Sequence, residues 1–208
     1  MLPGTKMLLK LIRILSERED KSFDKRFGCD FSGVIGAKDL KTDSEFKDNA
    51  TSYHAAWCSS IRKLIKKSAS LKIRPEVFID IGCGKGKVCF YAATLKRFKK
   101  IIGIDFDSEL IAQANEYKNN FSEYDVEFLH ADATEYDLSR FEQSMIFMFN
   151  PFDNKVMRIF LEKNLNAFKE KKHVIAYSND MQHQTIADMG FKKLWRNGKR
   201  KMSLWMYE

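Results

Sequence analysis

Glycines occupy every second position in Asp80-Ile81-Gly82-Cys83-Gly84-Lys85-Gly86, directly after the apolar pair Phe78-Ile79. An apolar run of this kind reads as a buried parallel strand, and the glycines after it make a turn whose backbone a ligand can approach closely. Spacing decides which ligand. A dinucleotide loop, G-x-G-x-x-G, has its third glycine one residue later and aims a helix N-terminus at a pyrophosphate. Asp80 at the strand end would repel that pyrophosphate; it suits a ligand with a positive end, such as an amino group or a sulfonium. A P-loop needs G-x-x-x-x-G-K-[ST], but Gly82 to Lys87 is one residue short and Val88 stands where a hydroxyl would hold magnesium. Nucleotide hydrolysis is therefore disfavoured.

Three further apolar runs end in polar residues. Ile101-Ile102-Gly103-Ile104 ends in Asp105, 23 residues after Gly82, close to the distance at which a βαβ unit sets an acid on ribose hydroxyls. Such a carboxylate accepts from both the 2′- and the 3′-hydroxyl. Val126 to His130 leads into Asp132, which is placed to accept from an adenine amino group. Met145 to Phe149 leads into Asn150-Pro151-Phe152. All four sites follow strand C-termini, the edge at which open α/β sheets bind ligands.

In this order the residues resemble a class I S-adenosylmethionine-dependent methyltransferase over about residues 76–208. The resemblance implies a Rossmann-like α/β fold with a mostly parallel seven-stranded sheet, a C-terminal antiparallel hairpin and an N-terminal helical extension. It also implies S-adenosylmethionine as cofactor. Asp80, Gly82, Cys83, Gly84 and Gly86 match the motif holding its methionine part, Asp105 the ribose acid, Phe106 the residue packing on adenine, and Asp132-Ala133 the adenine edge. Asn150-Pro151-Phe152 matches the motif facing the methyl group, without the second proline of [DN]-P-P-[YF]. Asn150 is the catalytic candidate, counted with the cofactor contacts as well; Pro151 and Phe152 are placed on the substrate. The alternative for Asn150 is a cap on the next helix, with Pro151 in its first turn. Phe23-Asp24-Lys25-Arg26-Phe27-Gly28-Cys29-Asp30, then Gly33 and Tyr53, is similar to a segment of a small bacterial group of such methyltransferases, though Phe31 and Ser32 depart from its threonine. Arg26 and Tyr53 join the substrate-binding set. Arg26 either meets a carboxylate of the cofactor or substrate or pairs with Asp24 and Asp30.

Elements able to position these residues are legible in the chain. Residues 5–19 and 51–70 read as amphipathic helices, the second with Trp57, Ile61, Leu64 and Ile65 on one face. Residues 20–50, interrupted by Gly28, Gly33 and Gly36, read as an ordered loop over the cofactor edge. Strands at 76–81, 100–105, 126–130, 144–149 and 172–177 alternate with helices near 87–97, 108–120 and 153–169, the pattern of a parallel sheet covered on both faces. A hairpin over 191–207 turns at Asn197-Gly198, the signature of a type I′ turn. Two units result: a cap over 1–70 and a cofactor-binding domain over 71–208.

Composition narrows the function. The 208 residues carry a formal charge of +8 and are 44% hydrophobic, enough for one ordinary core. The charge allows a nucleic-acid partner but does not favour one, because the basic clusters fall on expected helix ends and turns. Cysteines 29, 58, 83 and 89 show no C-x-x-C spacing, so no metal is expected and a reduced, cytoplasmic setting fits. Lys10 and Arg13 break the apolar stretch Met7 to Leu15, so neither a signal peptide nor a transmembrane segment is expected; its helical spacing suits packing on the domain, or on a membrane surface or partner. The expected activity is methyl transfer to an unidentified acceptor, with protein lysine or a small molecule favoured over an RNA base. A non-catalytic binding module of the same fold is the alternative. A nicotinamide dehydrogenase is opposed by the early third glycine and the hairpin.

Overall fold

The computed structural model describes residues 3–208, with side chains from residue 11 onward. Seven strands form one sheet: β1 (Val77–Ile81), β2 (Lys100–Asp105), β3 (Val126–His130), β4 (Ser144–Phe149), β5 (Val174–Ser178), β6 (Phe191–Asn197) and β7 (Met202–Tyr207). Their order is β3-β2-β1-β4-β5-β7-β6. The first five are parallel, and β7 runs antiparallel between β5 and β6. The order reverses beside β1, so the β1 and β4 tips open a crevice at the sheet's C-terminal edge.

Strand residues alternate strictly between two cores, because successive side chains point to opposite faces. Phe78, Ile101, Phe147 and Ala176 join one core with α2 (Cys58–Ser70) and α3 (Lys87–Thr94). Ile79, Ile102, Ile146 and Ile175 join the other with α5 (Asn154–Lys163) and α6 (Leu165–Glu170). Helix α4 (Ser108–Tyr117) adds Ile111 and Ala114 to the first core, and α7 (His183–Asp188) adds Ile186 to the second. Both faces are covered, which is why the strands read as continuous apolar runs.

The chain departs from the expected elements where tertiary contacts override local pattern. Helix α1 (Pro3–Phe27) runs eight residues past the expected end at 19 and stops at Gly28, whose φ is +62°. Its second half is held by aromatics: Phe27 stacks on Phe121 at 4.2 Å, Phe121 on Phe90 at 4.1 Å, and Phe23 lies edge-on to Tyr91 at 5.3 Å. Helix α2 begins at Cys58 rather than 51, because residues 50 and 53 bridge to Phe152 and Ile35 in extended backbone. The helix expected over 153–169 breaks at Asn164, whose buried amide accepts from the Leu138 N–H and donates to the carbonyls of Tyr136 and Phe160. The hairpin turn is not type I′. Lys201, with φ +48°, takes the left-handed position, and the Arg200 N–H donates to Asn197 across a four-residue loop.

Phe121, 1% exposed and stacked on both α1 and α3, is the aromatic on which α1 docking turns. Phe121→Ala should cost about 3–5 kcal/mol in equilibrium urea unfolding. A loss under about 1 kcal/mol would show that the stack does not hold the helix.

Candidate functional site

The β1 tip is shaped by backbone contact. The N–H groups of Gly82 and Cys83 both donate to the Ile104 carbonyl, at 2.8 and 2.9 Å, which folds the turn onto β2. Gly82 (φ +76°) and Gly84 (φ +52°) are left-handed, and a Cβ would lie 2.6 Å from Pro151 Cβ at the first and 2.3 Å from the Tyr53 ring at the second. Only hydrogen fits at either position. The glycine motif thus meets the β4 tip on one side and the N-terminal extension on the other.

Asp105, 8% exposed, spans the first two tips: Oδ2 accepts the Gly84 N–H at 2.7 Å and Oδ1 the Asp107 N–H at 2.9 Å. Each oxygen keeps a lone pair for a further donor. Burial pushes its carboxyl up to about 6, against the pull of these N–H bonds. Asp80 is 1% exposed and lines the same cleft, and its side-chain hydrogen bond among the described residues is the weak Cys89 thiol to Oδ2 at 3.9 Å. Burial, then the nearby Asp105, push its carboxyl well up. A buried carboxyl this poorly partnered is a site for an incoming donor.

Residues 40–53 stitch the remaining tips together. The Lys41 N–H donates to Asp107 Oδ2 at 2.6 Å, and the Ser44 hydroxyl to Asp132 Oδ2 at 2.5 Å. Thr51 donates its hydroxyl to the Asn150 carbonyl at 2.5 Å and its N–H to the Pro151 carbonyl at 3.0 Å. Tyr53 donates to the Phe31 carbonyl at 2.8 Å while its ring covers Gly84. The cleft beneath holds about 930 Å³, its open mouth included. Beside the β1, β2 and β3 tips it is lined by Asp80, Asp105, Phe106, Asp132 and Ala133, and on its β4 side by Phe149, Pro151 and Phe152 with Phe46 and His54 of the N-terminal extension. Gly82, Cys83 and Tyr53 line it as well.

Several sequence expectations change. Gly84 and Gly86 do not line the cleft: the Tyr53 ring lies against the first and Phe128 against the second. Asn150 does not line the cleft: its φ is +49° and its Oδ1 accepts the Tyr177 hydroxyl at 3.0 Å. It does not cap α5 either, since Asp153 Oδ1 accepts the Lys155 and Val156 N–H groups and Pro151 lies outside the helix. Arg26 lies outside the cleft, exposed, with its guanidinium 5.1 Å from the Phe27 ring centroid. Asp24 is turned elsewhere. With Asp20, one helical turn away, it faces the buried Lys87 ammonium, each at 3.3 Å. Asp30 Oδ1 is taken by the Ser32 N–H and hydroxyl. Sequence reasoning passed over Lys87, Ser44 and Thr51. The i,i+4 pair Asp20–Asp24 was a readable hint of a buried cation, whereas the serine and threonine carry no local signal. Among the described residues, no cluster could hold a metal ion, and no helix is long and apolar enough to cross a membrane.

The raised Asp105 carboxyl makes stability depend on pH. Its folded value of about 6 exceeds the ordinary 3.8, so its protonated form favours the fold. That contribution is complete below the unfolded value and is lost as pH rises through the folded one. Denaturation midpoints should therefore fall between about pH 4 and 7, and the fall should be smaller in Asp105→Ala. An equal fall in both chains would remove Asp105 as the source.

Residues 74–202 match the family model described as a methyltransferase domain. Protein 235L of Invertebrate iridescent virus 6, provisionally named a methyltransferase, is 31% identical over 121 residues, which is 57% of this chain and 43% of that protein. The chain thus matches less than half the length of that relative. Among solved structures, magnesium protoporphyrin IX methyltransferase of Synechocystis PCC 6803, crystallised with bound SAM, superposes with a TM-score of 0.54 at 10% identity, over 73% of this chain and 79% of that one. PH1948 of Pyrococcus horikoshii, provisionally named an RNA methyltransferase, gives 0.52 at 19% identity, over 71% and 81%. At these identities the structures speak for the fold, and it is the same Rossmann-like fold. With the family model covering β1 to β6 and the first residue of β7, the chain belongs to the methyltransferase-domain family.

Proposed function

We propose that the chain is an S-adenosylmethionine-dependent methyltransferase. The observation that carries this reading is the pair of buried acids at adjacent tips, Asp80 and Asp105, on a glycine turn with no room for side chains. These residues fit an adenosyl sulfonium amino acid. Asp80 suits its ammonium, the free lone pairs of Asp105 its ribose diol, and Phe106 with Ala133 its adenine. Asp132 is largely spent on Ser44 and Thr134, which leaves the backbone beside it as the adenine contact. When bound, this cofactor supplies an electrophilic methyl group on sulfur.

The chain's own contribution is alignment and exclusion of water. Tyr53 and residues 40–52 roof the cleft. The Tyr53 phenol is pushed well up by burial and donates to Phe31, so it is no base. His54, exposed at the mouth and 5.9 Å edge-on from Phe149, is the side chain placed to receive a proton from an acceptor. The β4 side of the cleft holds Phe46, Phe149, Pro151 and Phe152 and no carboxylate, which suits a flat or apolar neutral acceptor over a lysine ammonium. Asn150 acts as a positioning residue: its bond from Tyr177 holds the Pro151-Phe152 loop. The N-terminal segment that resembles the bacterial group serves in this reading to carry the roof. A binding module without turnover is the second reading, favoured by Thr51 occupying the Asn150 and Pro151 carbonyls.

Calorimetric titration with S-adenosylhomocysteine should show saturable binding, weakened by about 1–3 kcal/mol in Asp105→Ala. Unchanged affinity would take Asp105 out of the site. With methyl-labelled cofactor and cell extract, Asn150→Ala and Tyr177→Phe should both lower turnover while keeping that affinity. Binding with no label transferred by the wild type would favour the binding module.

A further inference from the structure

Where α2 meets the β6–β7 turn lies a rim of cations that no carboxylate neutralises among the described residues. Lys63, Lys66 and Lys67 lie on α2, which starts two residues after the cleft-lining Ala56. Lys199, Arg200 and Lys201 lie on the β6–β7 turn, which sits at the same edge of the sheet because the Asp180 N–H, just past β5, donates to the Lys201 carbonyl at 2.9 Å. Among the described residues none of these six has an ion-pair partner. The two groups meet. Lys63, Lys66 and Arg200 line one groove, whose carboxylate, Glu19, is spent on Arg62 and Tyr91. Lys63 and Lys67 place their ammoniums 5.9 and 5.8 Å from the Trp195 ring centroid. Burial and the adjacent Arg200 lower the Lys63 pKa, as expected of cations held together without a counter-charge.

Uncompensated like charge at one rim costs stability unless an anion visits it. On the same edge of the sheet, the β4 side of the cleft offers Phe149, Phe152 and the His54 ring, of the kind on which an unstacked base rests. We propose that this rim binds the phosphates of a single-stranded nucleic acid and leads one of its bases to the β4 side of the cleft. Phosphate contact positions the strand, and the cleft reads the base. A single strand is the favoured form because its base enters such a cleft without the cost of flipping it out of a duplex. The delivery of the base rests on the methyltransferase reading; the binding of the strand does not.

Fluorescence anisotropy with end-labelled oligouridylate and oligothymidylate of about 12 nucleotides tests the rim without any cofactor. The wild type should bind with strong salt dependence. The triple variant Lys63→Gln, Lys67→Gln, Arg200→Gln should bind at least about tenfold more weakly, with a log–log salt slope shallower by about 2. The variant Lys72→Gln, Lys96→Gln, Arg97→Gln removes equal charge from the opposite edge and should bind like the wild type. Retained S-adenosylhomocysteine affinity in both variants confirms that each is folded. Equal weakening in both would reduce the effect to net charge and overturn the proposal. So would displacement of the strand by polyglutamate at equal charge concentration. Binding to phosphatidylglycerol vesicles without strand binding would assign the rim, with the exposed Leu11 and Leu15 beside it, to a membrane surface and likewise overturn it. Loss of S-adenosylhomocysteine binding in the wild type, with strand binding intact, would count against the methyltransferase reading alone.

Discussion

The Asp105 carboxylate ties the architecture of the cleft together. It holds the Gly84 N–H on one oxygen and the Asp107 N–H on the other, joining the glycine turn to the start of α4. Asp107 passes the connection on, accepting from Leu110 at the first turn of α4 and from Lys41 in the N-terminal extension. Three layers of the molecule are thus set by two carboxylates in series. Keeping Asp105 buried raises its carboxyl, and the backbone donors only partly offset that cost. A site so arranged gains most when further donors arrive, and a ribose diol offers two.

Charge is sorted by depth. Asp80 and Asp105 lie at the bottom of the cleft, within a chain whose formal charge is +8. The buried Lys87, beside the glycine turn, is neutralised by Asp20 and Asp24 and serves to clamp α1 onto α3. Among the described residues the cations of the rim have no such partners. Buried acids and surface cations support the cationic and anionic ligands proposed above. The β4 side of the cleft is lined by Phe46, Phe149, Pro151 and Phe152 and no carboxylate, which is why a neutral acceptor is proposed above ahead of the protein lysine that the sequence favoured alongside a small molecule.

The extension over residues 28–57 explains how a short chain closes its cleft. It has little regular structure of its own, and its hydrogen bonds reach Asp107, Asp132, Asn150 and Pro151. Its polar groups are satisfied partly within the segment and partly by the strand tips and the loops that follow them. The two isolated bridges, Ile35 to Tyr53 and Ala50 to Phe152, fix its path across the mouth. Four cysteines remain free thiols, all buried; two of them, Cys83 and Cys89, sit at the glycine turn and on α3, where burial pushes both thiols well up.

The sequence by itself determined the sheet and which strand tips carry the acids that line the cleft. Apolar runs ending in Asp80, Asp105, Asp132 and Asn150 are local signals, since a buried parallel strand must be apolar throughout and its tip must return to polar residues. The glycine spacing was legible for the same reason: backbone shape is written into residue type at each position. Tertiary structure alone decided the rest. Whether Asn150 faces the cleft depends on Tyr177, 27 residues away. Whether Arg26 or Lys87 meets Asp24 depends on the face of α1 that packs on α3. That Thr51 and Ser44 reach across to the tips, and that α2 waits until Cys58 to begin, follows from pairings between distant segments. Such pairings leave no periodicity in the chain, because a loop satisfied by its neighbours needs only a hydroxyl or an N–H at the right place in space.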